Sequence, residues 1–410
     1  MKVLKKIFYA WKYPAILLLG IGVSNIGAWI YLIAINLTML TMTGSPLAVA
    51  ALYVIKPLAA LFTNTWTGSM IDRVSKRNLL VVLDVIRALL IAILPSLSSI
   101  WVIYSVVFLI NIAGSVFYPA SRAYITRLIP TEKRKRFNSL RSLIDSGAFL
   151  IGPAVAGVLF MIGTPDFAIY VNAVSLFLSG MLMTAMPDFE KDSSIQNGSG
   201  RLSFQLIKKD WTMVLAFSRK QVYIMLIYLL FSSVMVMTAA LDSLEAAYSK
   251  EVLSLTDTEY GFLVSIAGAG IVVGAALNAL VVKKLSTACL IGAGSLIVSV
   301  GYIVYAVSDS FTGAGVGFFV LSFALAFANT GFETFYQNNI PVELMGRVGS
   351  IYGLVEALLV IIATLLVGIM AQVISINVVV IAGSFFMLFI SAVLLKVIFQ
   401  PDRKPYYEFR

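Results

Sequence analysis

Residues 129–139, Ile-Pro-Thr-Glu-Lys-Arg-Lys-Arg-Phe-Asn-Ser, return in altered form as residues 340–350, Ile-Pro-Val-Glu-Leu-Met-Gly-Arg-Val-Gly-Ser. Both stretches follow the pattern Ile-Pro-x-Glu-x-x-x-Arg-x-x-Ser. The same offset aligns Asp145 with Glu356 in the apolar runs that follow. The repeat indicates that one half of the chain is a diverged copy of the other, as in many membrane proteins with internal pseudo-symmetry. We expect two matched stiff elbows on one side of the membrane; two loops that only cap helices are the alternative.

Twelve apolar runs follow one another along the chain. The 410 residues are 60% hydrophobic and 12% charged, with a mean hydropathy of +0.95. A bilayer core is crossed by about 20 apolar residues in a helix, and inside hydrocarbon every backbone amide must be hydrogen-bonded within its own segment. Each run therefore predicts a transmembrane helix, and the spans are numbered 1 to 12 in chain order. They cover residues 14–38, 47–67, 79–98, 100–120, 140–162, 167–187, 221–247, 258–282, 287–307, 311–335, 348–373 and 376–398.

The repeat divides these spans into two sets. We predict an all-α integral membrane protein whose twelve transmembrane helices form two pseudo-symmetric six-helix halves. The N-terminal half covers residues 1–187 and the C-terminal half covers residues 221–399. Residues 188–220 form a cytoplasmic linker, whose second part has the periodicity of an amphipathic helix lying on the membrane. The charged tail, residues 400–410, is predicted to be cytoplasmic and disordered.

The chain carries a net charge of +10 that is unevenly distributed. Once the lysines before span 1 are placed in the cytoplasm, all but three of the 30 Lys and Arg residues fall on that side; the exceptions are Lys56, Arg87 and Lys250. This is the positive-inside asymmetry of membrane proteins, so the charge does not indicate a nucleic-acid partner. It predicts a multi-pass protein of a bacterial-type plasma membrane with both termini in the cytoplasm.

Several chemistries are disfavoured by what the sequence lacks. The single cysteine, Cys289, cannot form an intramolecular disulfide, and no metal-binding pattern is present. No Walker pattern for phosphate binding is present, so ATP hydrolysis is not expected, and we predict neither an enzymatic activity nor a cofactor. Because the chain has no histidine, a proton carrier within the membrane would have to be a carboxylate whose pKa is raised by burial.

Polar residues inside the spans are candidates for contact with a substrate. Asn25 and Trp29 lie four residues apart, hence on one face of span 1, where they either line a cavity or contact another helix. Lys56 lies near the middle of span 2, at an insertion cost of roughly 2.5–3.5 kcal/mol. It therefore needs either a water-filled cavity or a fixed carboxylate partner. Asp84 and Arg87, three residues apart in span 3, are expected to pair with each other.

Four acidic residues complete the candidate set. Asp145, Asp242 and Glu356 are the candidate proton carriers, and Glu356 is favoured because its repeat partner is also acidic. Glu356 could instead be a permanent structural partner of Lys56. Asp242 and Glu245 are also candidates for the substrate cavity. Asp242 lies two turns inside span 7 and is expected to be buried, whereas Glu245 could be solvated.

Two charges at repeat-related positions predict a cytoplasmic gate. Arg122 lies at the inner end of span 4, and its repeat partner is Glu333 in span 10. We expect them to attract one another when the cytoplasmic side closes; two solvated charges are the alternative. Arg347, in the second repeated stretch, belongs to the same predicted gate.

The turn between spans 2 and 3 carries a family resemblance. It matches the pattern Gly-x-x-x-Asp-Arg-x-x-Lys-Arg at Gly68, Asp72, Arg73, Lys76 and Arg77. This resembles motif A of the major facilitator superfamily, with Ser75 where that motif usually has a second glycine. The resemblance implies that Asp72 lies against the N-terminus of span 11, where the helix dipole stabilises a carboxylate. It also implies that the segment helps to lock the cytoplasmic side.

Span 5 carries a second pattern, Gly152-Pro153-x-x-x-Gly157. It resembles motif C, which is found in exporters of the superfamily. Together with Gly270 and Gly274 of span 8, these residues predict a tight interface between the two halves, because glycines allow helix backbones to approach closely.

Two further features refine the resemblance. Asn111 in span 4 stands where motif B usually has an arginine linked to proton coupling, which is a departure from the family pattern. The second repeated stretch, Ile-Pro-x-Glu-x-x-Gly-Arg ending at Arg347, resembles the branch that contains macrolide-efflux proteins and enterobactin-type siderophore exporters. The resemblance implies a monomer that exports amphipathic small molecules by alternating access in exchange for protons, in contact with membrane lipid. A lipid or lysolipid flippase of the same fold and a non-transporting receptor or scaffold are the alternatives.

Overall fold

A computed structural model describes residues 2–63, 67, 70–71, 74–189, 204–281, 284–400 and 406–407 of the chain. Within these ranges, side chains are described except at residues 2–10, 131–136, 138–139, 142, 204–210, 337, 342–343 and 345–346. Three predicted motif A residues, Gly68, Asp72 and Arg73, therefore lie outside the described residues.

The regular structure of the described residues is entirely helical. One 3-10 turn, Leu94–Ser96, follows the third helix. The α-helices are α1 (Lys2–Thr43), α2 (Pro46–Thr63), α3 (Lys76–Ile93), α4 (Ile100–Leu128), α5 (Thr131–Ile162), α6 (Pro165–Thr184), α7 (Phe204–Lys220), α8 (Val222–Asp242), α9 (Glu245–Glu251), α10 (Asp257–Val281), α11 (Thr287–Ala306), α12 (Phe311–Asn339), α13 (Val342–Val373) and α14 (Ile376–Ile398).

Twelve of these helices are long and apolar enough to cross a membrane, which confirms the predicted all-α transmembrane fold. The other two are α7, which lies in the predicted amphipathic stretch of the linker, and the short α9. Predicted span 7 was too long, because the helix ends at Asp242 and a new helix begins at Glu245. At this break the Ser243 hydroxyl donates a hydrogen bond to the Ala240 carbonyl oxygen (2.6 Å), so the side chain competes for backbone acceptors as the helix ends.

The repeated stretches are helix starts rather than loops. Pro130 and Pro341 precede the first residues of α5 and α13, with nearly equal backbone angles (φ −55° in both, ψ 146° and 139°). The preceding residues, Ile129 and Ile340, are buried, and each backbone N–H still bonds to the carbonyl oxygen four residues earlier. The chain therefore turns sharply at Ile-Pro and continues as one stiff helix into the membrane. The local structure is duplicated as the sequence is.

The chain divides into two compact units, one of residues 1–42 and 58–200, the other of residues 43–57 and 201–410. The second unit thus includes the first part of α2. There a Cβ on Gly368 of α13 would lie 3.0 Å from the Ala50 Cβ, and the Ser45 hydroxyl lies 3.3 Å from the Gln372 amide oxygen. Division of the chain at the linker, between residues 187 and 221, stays a prediction.

Each unit has its own apolar core. In the first unit, Tyr124 and Phe137 are fully buried among residues of α1, α3 and α6. In the second unit, Phe231 of α8 and Phe332 of α12 stack with ring centroids 4.1 Å apart. Such aromatic pairs add to the close packing that holds transmembrane helices together.

The prediction of a disordered tail is wrong at Tyr406 and Tyr407. The Tyr407 hydroxyl lies 2.7 Å from that of Tyr223 on α8, and its ring stacks on Phe335 with centroids 5.3 Å apart. The Asn339 side-chain amide donates to the Tyr406 carbonyl oxygen (3.0 Å). Two aromatic side chains bury enough apolar surface to hold these two residues against the helices.

Candidate functional site

The most enclosed group of acidic side chains lies where α8 ends and α9 begins. Asp242 is the last residue of α8, and its carboxylate accepts a hydrogen bond of 2.5 Å from the hydroxyl of Tyr302 on α11. Glu245 is the first residue of α9 and accepts a hydrogen bond from Tyr260 on α10. Both carboxylates are half-buried. Four helices thus converge on one acidic pair.

From the sequence alone Glu245 could be solvated, but in the structure it is half-buried. Burial, and then the nearby charge of Asp242, raise the pKa of the Glu245 carboxyl well above its usual range, while the hydrogen bond from Tyr260 opposes the shift. The cause is general, because a partly desolvated carboxylate beside a second one is costly to ionise. Glu245 is therefore poised to hold a proton at a higher pH than an exposed glutamate.

No described basic residue forms an ion pair with this acidic pair. Lys250, the nearest lysine in sequence, bonds instead to Asp257 at 2.5 Å. Two adjacent carboxylates in a low-dielectric site are stabilised by sharing a proton or by binding a cation. The arrangement can therefore exchange a proton for a positively charged or hydrogen-bond-donating group.

Aromatic rings form one wall beside the pair. Tyr305, one turn beyond Tyr302 on α11, packs against Tyr248 with ring centroids 4.8 Å apart and against Phe318 at 4.7 Å. The hydroxyls of Tyr305 and Ser249 lie close together, and neither forms a hydrogen bond among the described residues. Tyr305 also lies close enough to both carboxylates for their charges to act on it.

Sequence reasoning found Asp242 and Glu245 but missed the tyrosines. A signal was present in their spacing, because Tyr302 and Tyr305 are three residues apart, as are the two acids. Residues at this spacing share one helix face when they lie on the same helix; this holds for the two tyrosines of α11, whereas the chain begins a new helix between the two acids. What the sequence could not supply was which two of twelve apolar helices are neighbours.

A second polar group joins two predicted site residues of the first unit. The Asn25 side-chain amide on α1 donates to Asp145 on α5 at 2.6 Å. Arg141, one turn before Asp145, brings its Nε atom to 3.8 Å from the other carboxylate oxygen. The Asp145 side chain is 46% exposed, so this carboxylate has more solvent access than the half-buried Asp242–Glu245 pair, and it has a basic neighbour, which that pair lacks among the described residues. The ring of Trp29 packs against that of Phe149 on α5 at a tilt of 42°, with centroids 4.4 Å apart.

Glu356, the repeat partner of Asp145, lies in a similar setting in the second unit. It is half-buried on α13 and accepts a hydrogen bond of 2.9 Å from the Ser232 hydroxyl on α8. α1 and α8 are the first spans of the two repeated sets, so both repeat-related acids bond to the equivalent helix. The described residues form no ion pair between Glu356 and Lys56, whose side chain is exposed. A permanent Lys56–Glu356 partnership is therefore not found.

The expected pairing within α3 is confirmed. Arg87 bonds to Asp84, which is fully buried and also accepts a hydrogen bond of 3.0 Å from the Ser179 hydroxyl. The guanidinium lies 4.4 Å from the ring centroid of Phe117. These contacts hold the pair within the first unit, as expected of a structural role, although the Arg87 Nε has no hydrogen-bond partner among the described residues.

The predicted interface glycines pack inside their own units. A Cβ on Gly152 would lie 2.5 Å from the Trp29 Cβ of α1. On α10, a Cβ on Gly270 or Gly274 would lie 2.5 Å from a backbone carbonyl oxygen of α12. Close helix contact thus explains these three residues within each unit. Pro153 and Gly157 are buried, and the predicted interface between halves remains a prediction for all five residues.

The described part of the motif A turn begins α3. Ser75, where the family pattern usually has glycine, is the N-cap, since its hydroxyl accepts from the Asn78 backbone N–H at 3.3 Å. Its hydroxyl also lies within hydrogen-bond distance of Asp188 (2.9 Å). Lys76 is buried and Arg77 donates to the Met186 carbonyl oxygen at 3.2 Å. These contacts tie the turn to the chain after α6.

The three predicted gate residues differ in their exposure. Arg122 is exposed, with its guanidinium 5.9 Å from the ring of Tyr118, and Glu333 is also exposed. Arg347 is half-buried at the start of the α13 span. The attraction between Arg122 and Glu333 stays a prediction.

Comparison with known proteins places this arrangement among membrane transporters. Residues 17–364 match the family model described as Major Facilitator Superfamily. An uncharacterized MFS-type transporter, YfiS of Bacillus subtilis (strain 168), is 23% identical over 359 residues, which cover 84% of this chain and 83% of that protein.

Solved transporter structures share the fold at low sequence identity. The nucleoside transporter NupG is 12% identical with a TM-score of 0.71, covering 95% of this chain and 99% of that one. A bacterial homolog of the human lysosomal transporter Spinster, in an inward-facing and unoccupied conformation, is 13% identical with a TM-score of 0.75 and covers 98% and 99%. The peptide transporter POT in complex with sulfate is 12% identical with a TM-score of 0.73 and covers 97% and 96%. At this identity the likeness establishes the fold alone.

Proposed function

The chain belongs to the Major Facilitator Superfamily and is a membrane transporter of that family, and we propose that it exports amphipathic small molecules in exchange for protons. The observation that carries the proposal is the Asp242–Glu245 pair, enclosed by tyrosines and without a described basic partner. Such a pair changes charge when its surroundings change, which proton exchange requires. The substrate class is that of drugs, macrolides or siderophores, in a bacterial-type plasma membrane.

The pair would couple the two fluxes through one site. A proton taken up from the outer side neutralises the pair and weakens its hold on a positively charged or hydrogen-bond-donating group of the substrate. Release of that proton towards the cytoplasm restores the charge, and with it the affinity. Glu356 and Asp145 are further candidate carriers, because each lies on a helix that begins at a repeated Ile-Pro turn and each bonds to the first helix of its half.

Export rather than uptake is supported by the motif C resemblance at Gly152, Pro153 and Gly157. The proteins of similar fold differ in their substrates, since NupG is a nucleoside transporter and POT is a peptide transporter. The proposed direction and substrate class therefore depend on the motifs and on the site.

The proposal is tested first with the unmodified protein. Amphipathic compounds are screened by thermal shift at about pH 5 and about pH 8; since deprotonation of the pair favours binding, we expect hits to stabilise the protein more at the higher pH. A hit is then loaded into proteoliposomes, and its movement against its own gradient is followed after a pH gradient is imposed. Proton exchange would be contradicted if the compound accumulated equally with and without the pH gradient and bound equally at both pH values.

The same proteoliposomes separate the alternatives. A lipid or lysolipid flippase would move a fluorescent lipid between leaflets in a pH-dependent manner and leave the soluble compounds where they are. A receptor or scaffold would move neither, and would retain partner binding after the acidic pair is removed. Either result would replace the exporter proposal.

A further inference from the structure

A small apolar cavity lies between α11 and α12. Elsewhere these helices are in close contact, since a Cβ on Gly301 would lie 2.5 Å from the Leu321 backbone nitrogen. They remain in close contact towards the start of α11, where a Cβ on Gly294 would lie 2.9 Å from the Ala328 backbone nitrogen, and a cavity of about 190 Å³ opens on one side of that contact. Its wall includes Leu285, Cys289, Ala293, Ile297, Phe323 and Phe327.

The chemistry of this wall suits a hydrocarbon chain. The side chains named are apolar apart from the weakly polar thiol of Cys289, and an apolar cavity of this kind does not hold water well. Ile297 is 43% exposed and Leu285 is 36% exposed, so the cavity is continuous with the outer surface of a transmembrane helix. In a bilayer that surface meets acyl chains, which are as apolar as the wall.

The mouth of the cavity is positively charged. Lys284 is exposed and directly precedes Leu285, and Lys283 precedes it in the sequence. No acidic residue occurs in the sequence between Glu259 and Asp309. The N-terminus of α11 starts at Thr287, and its dipole adds positive potential at the same level. The predicted topology places this end at the cytoplasmic surface, where anionic headgroups attract basic residues.

We propose that this cavity binds one acyl chain of an anionic phospholipid from the inner leaflet, with the phosphate held beside Lys284. The site is separate from the acidic pair and does not depend on which compound is transported. Two parts of the site have separate roles in binding the lipid: the apolar wall contacts the acyl chain, and Lys284 favours a negatively charged headgroup.

Cys289 allows a direct test, because it is the only cysteine and lies in the wall. The unmodified protein is placed in nanodiscs of phosphatidylcholine alone, or of phosphatidylcholine with phosphatidylglycerol. The alkylation rate of Cys289 by neutral N-ethylmaleimide is then measured. We expect the anionic lipid to slow alkylation severalfold, and the double variant Lys283→Gln, Lys284→Gln to remove that protection.

A matched control corrects for the surface potential, which lowers the local pH for every thiol. Leu226→Cys in a Cys289→Ala background places the thiol on α8, whose Leu226 is 40% exposed and lies at the predicted cytoplasmic end. The control is expected to be slowed equally by the anionic lipid in the presence and absence of the lysines. Equal slowing of Cys289 and the control would overturn the proposal.

A second measurement does not depend on thiol chemistry. Native mass spectrometry of the protein released from the same nanodiscs should show one retained phosphatidylglycerol that Ala293→Leu, which fills the cavity, removes. Retention unchanged in Ala293→Leu would contradict binding in the cavity. Protection of Cys289 that rises with protein concentration at constant lipid would also contradict it, because a second copy would then be the occupant.

Discussion

At the scale of single residues, the burial of Glu245 makes the stability of the fold depend on pH. Its pKa is raised in the folded protein, by burial and by Asp242, so the unfolded chain releases this proton more readily. The folded state therefore has its full stability from this group below the ordinary carboxyl pKa of about 4.3 and loses it as pH rises through the higher folded value. Tyr260, Tyr302 and Tyr305 are the other titratable groups facing the pair.

Glu245→Gln is accordingly expected to stabilise the purified protein more at about pH 8 than at about pH 5. The gain at the higher pH arises because glutamine removes the cost of ionising a half-buried carboxyl beside Asp242. The thermal unfolding midpoint in detergent measures it. Asp257→Asn, which removes a carboxylate already paired with Lys250, is the control and should not stabilise. An identical shift of the Glu245→Gln midpoint at both pH values would show that Glu245 does not titrate as described.

Contacts between residues close in the sequence could be predicted, whereas contacts between distant residues could not. The Asp84–Arg87 pair could be predicted, because three residues within one helix fix the contact. The hydrogen bond from Tyr302 to Asp242 could not, because it joins helices 60 residues apart in the sequence. The contact of Tyr407 with Tyr223 could not be predicted for the same reason, since it joins residues 184 apart in the sequence.

At the scale of helices, two glycines of α5 provide a comparison within one element. A Cβ on Gly152 would lie 2.5 Å from the Trp29 Cβ and 3.2 Å from the Ile26 carbonyl oxygen, whereas a Cβ on Gly147 would meet nothing within 4 Å. Alanine at an open helical position gains up to about 1 kcal/mol over glycine. At a filled position the added methyl forces neighbouring atoms apart, at a cost of roughly 1–3 kcal/mol.

We therefore expect Gly152→Ala to lower the thermal unfolding midpoint and Gly147→Ala to leave it unchanged or raise it. Both variants have the same chemical change in the same helix, so helix propensity cancels in the comparison. If the two midpoints moved together, the close contact between α1 and α5 would be refuted.

Helix positions were the most predictable feature, because twelve apolar runs of sufficient length permit little else in a membrane. Helix ends were less so. The repeated stretches were expected to be elbows, but their turn is confined to Ile-Pro, and α5 and α13 begin immediately afterwards. The break after Asp242 had no proline or glycine to reveal it, and it places Glu245 on a new helix beside the acid of the previous one.

At the scale of the whole molecule, the two halves repeat each other in their hydrogen bonds as well as in their sequence. Asp145 and Glu356 occupy equivalent positions, and each accepts a hydrogen bond from the first helix of its half, through Asn25 and Ser232. The Asp242–Glu245 pair has no acidic counterpart at the repeat offset, where the sequence has Tyr31 and Ala34. Duplication thus accounts for the scaffold, and the acidic pair is specific to the second half.

The central claim is that the acidic pair carries the protons that drive export. It is tested most directly by comparing uphill and downhill movement of one substrate in proteoliposomes for three proteins: unmodified, Asp242→Asn with Glu245→Gln, and Glu356→Gln. If the pair couples transport, the double variant loses accumulation driven by the pH gradient and moves the substrate only downhill, with weakened affinity because its pair is neutral, while Glu356→Gln retains both uphill and downhill movement. Uphill export that survives in the double variant and disappears in Glu356→Gln would contradict the claim and assign coupling to Glu356.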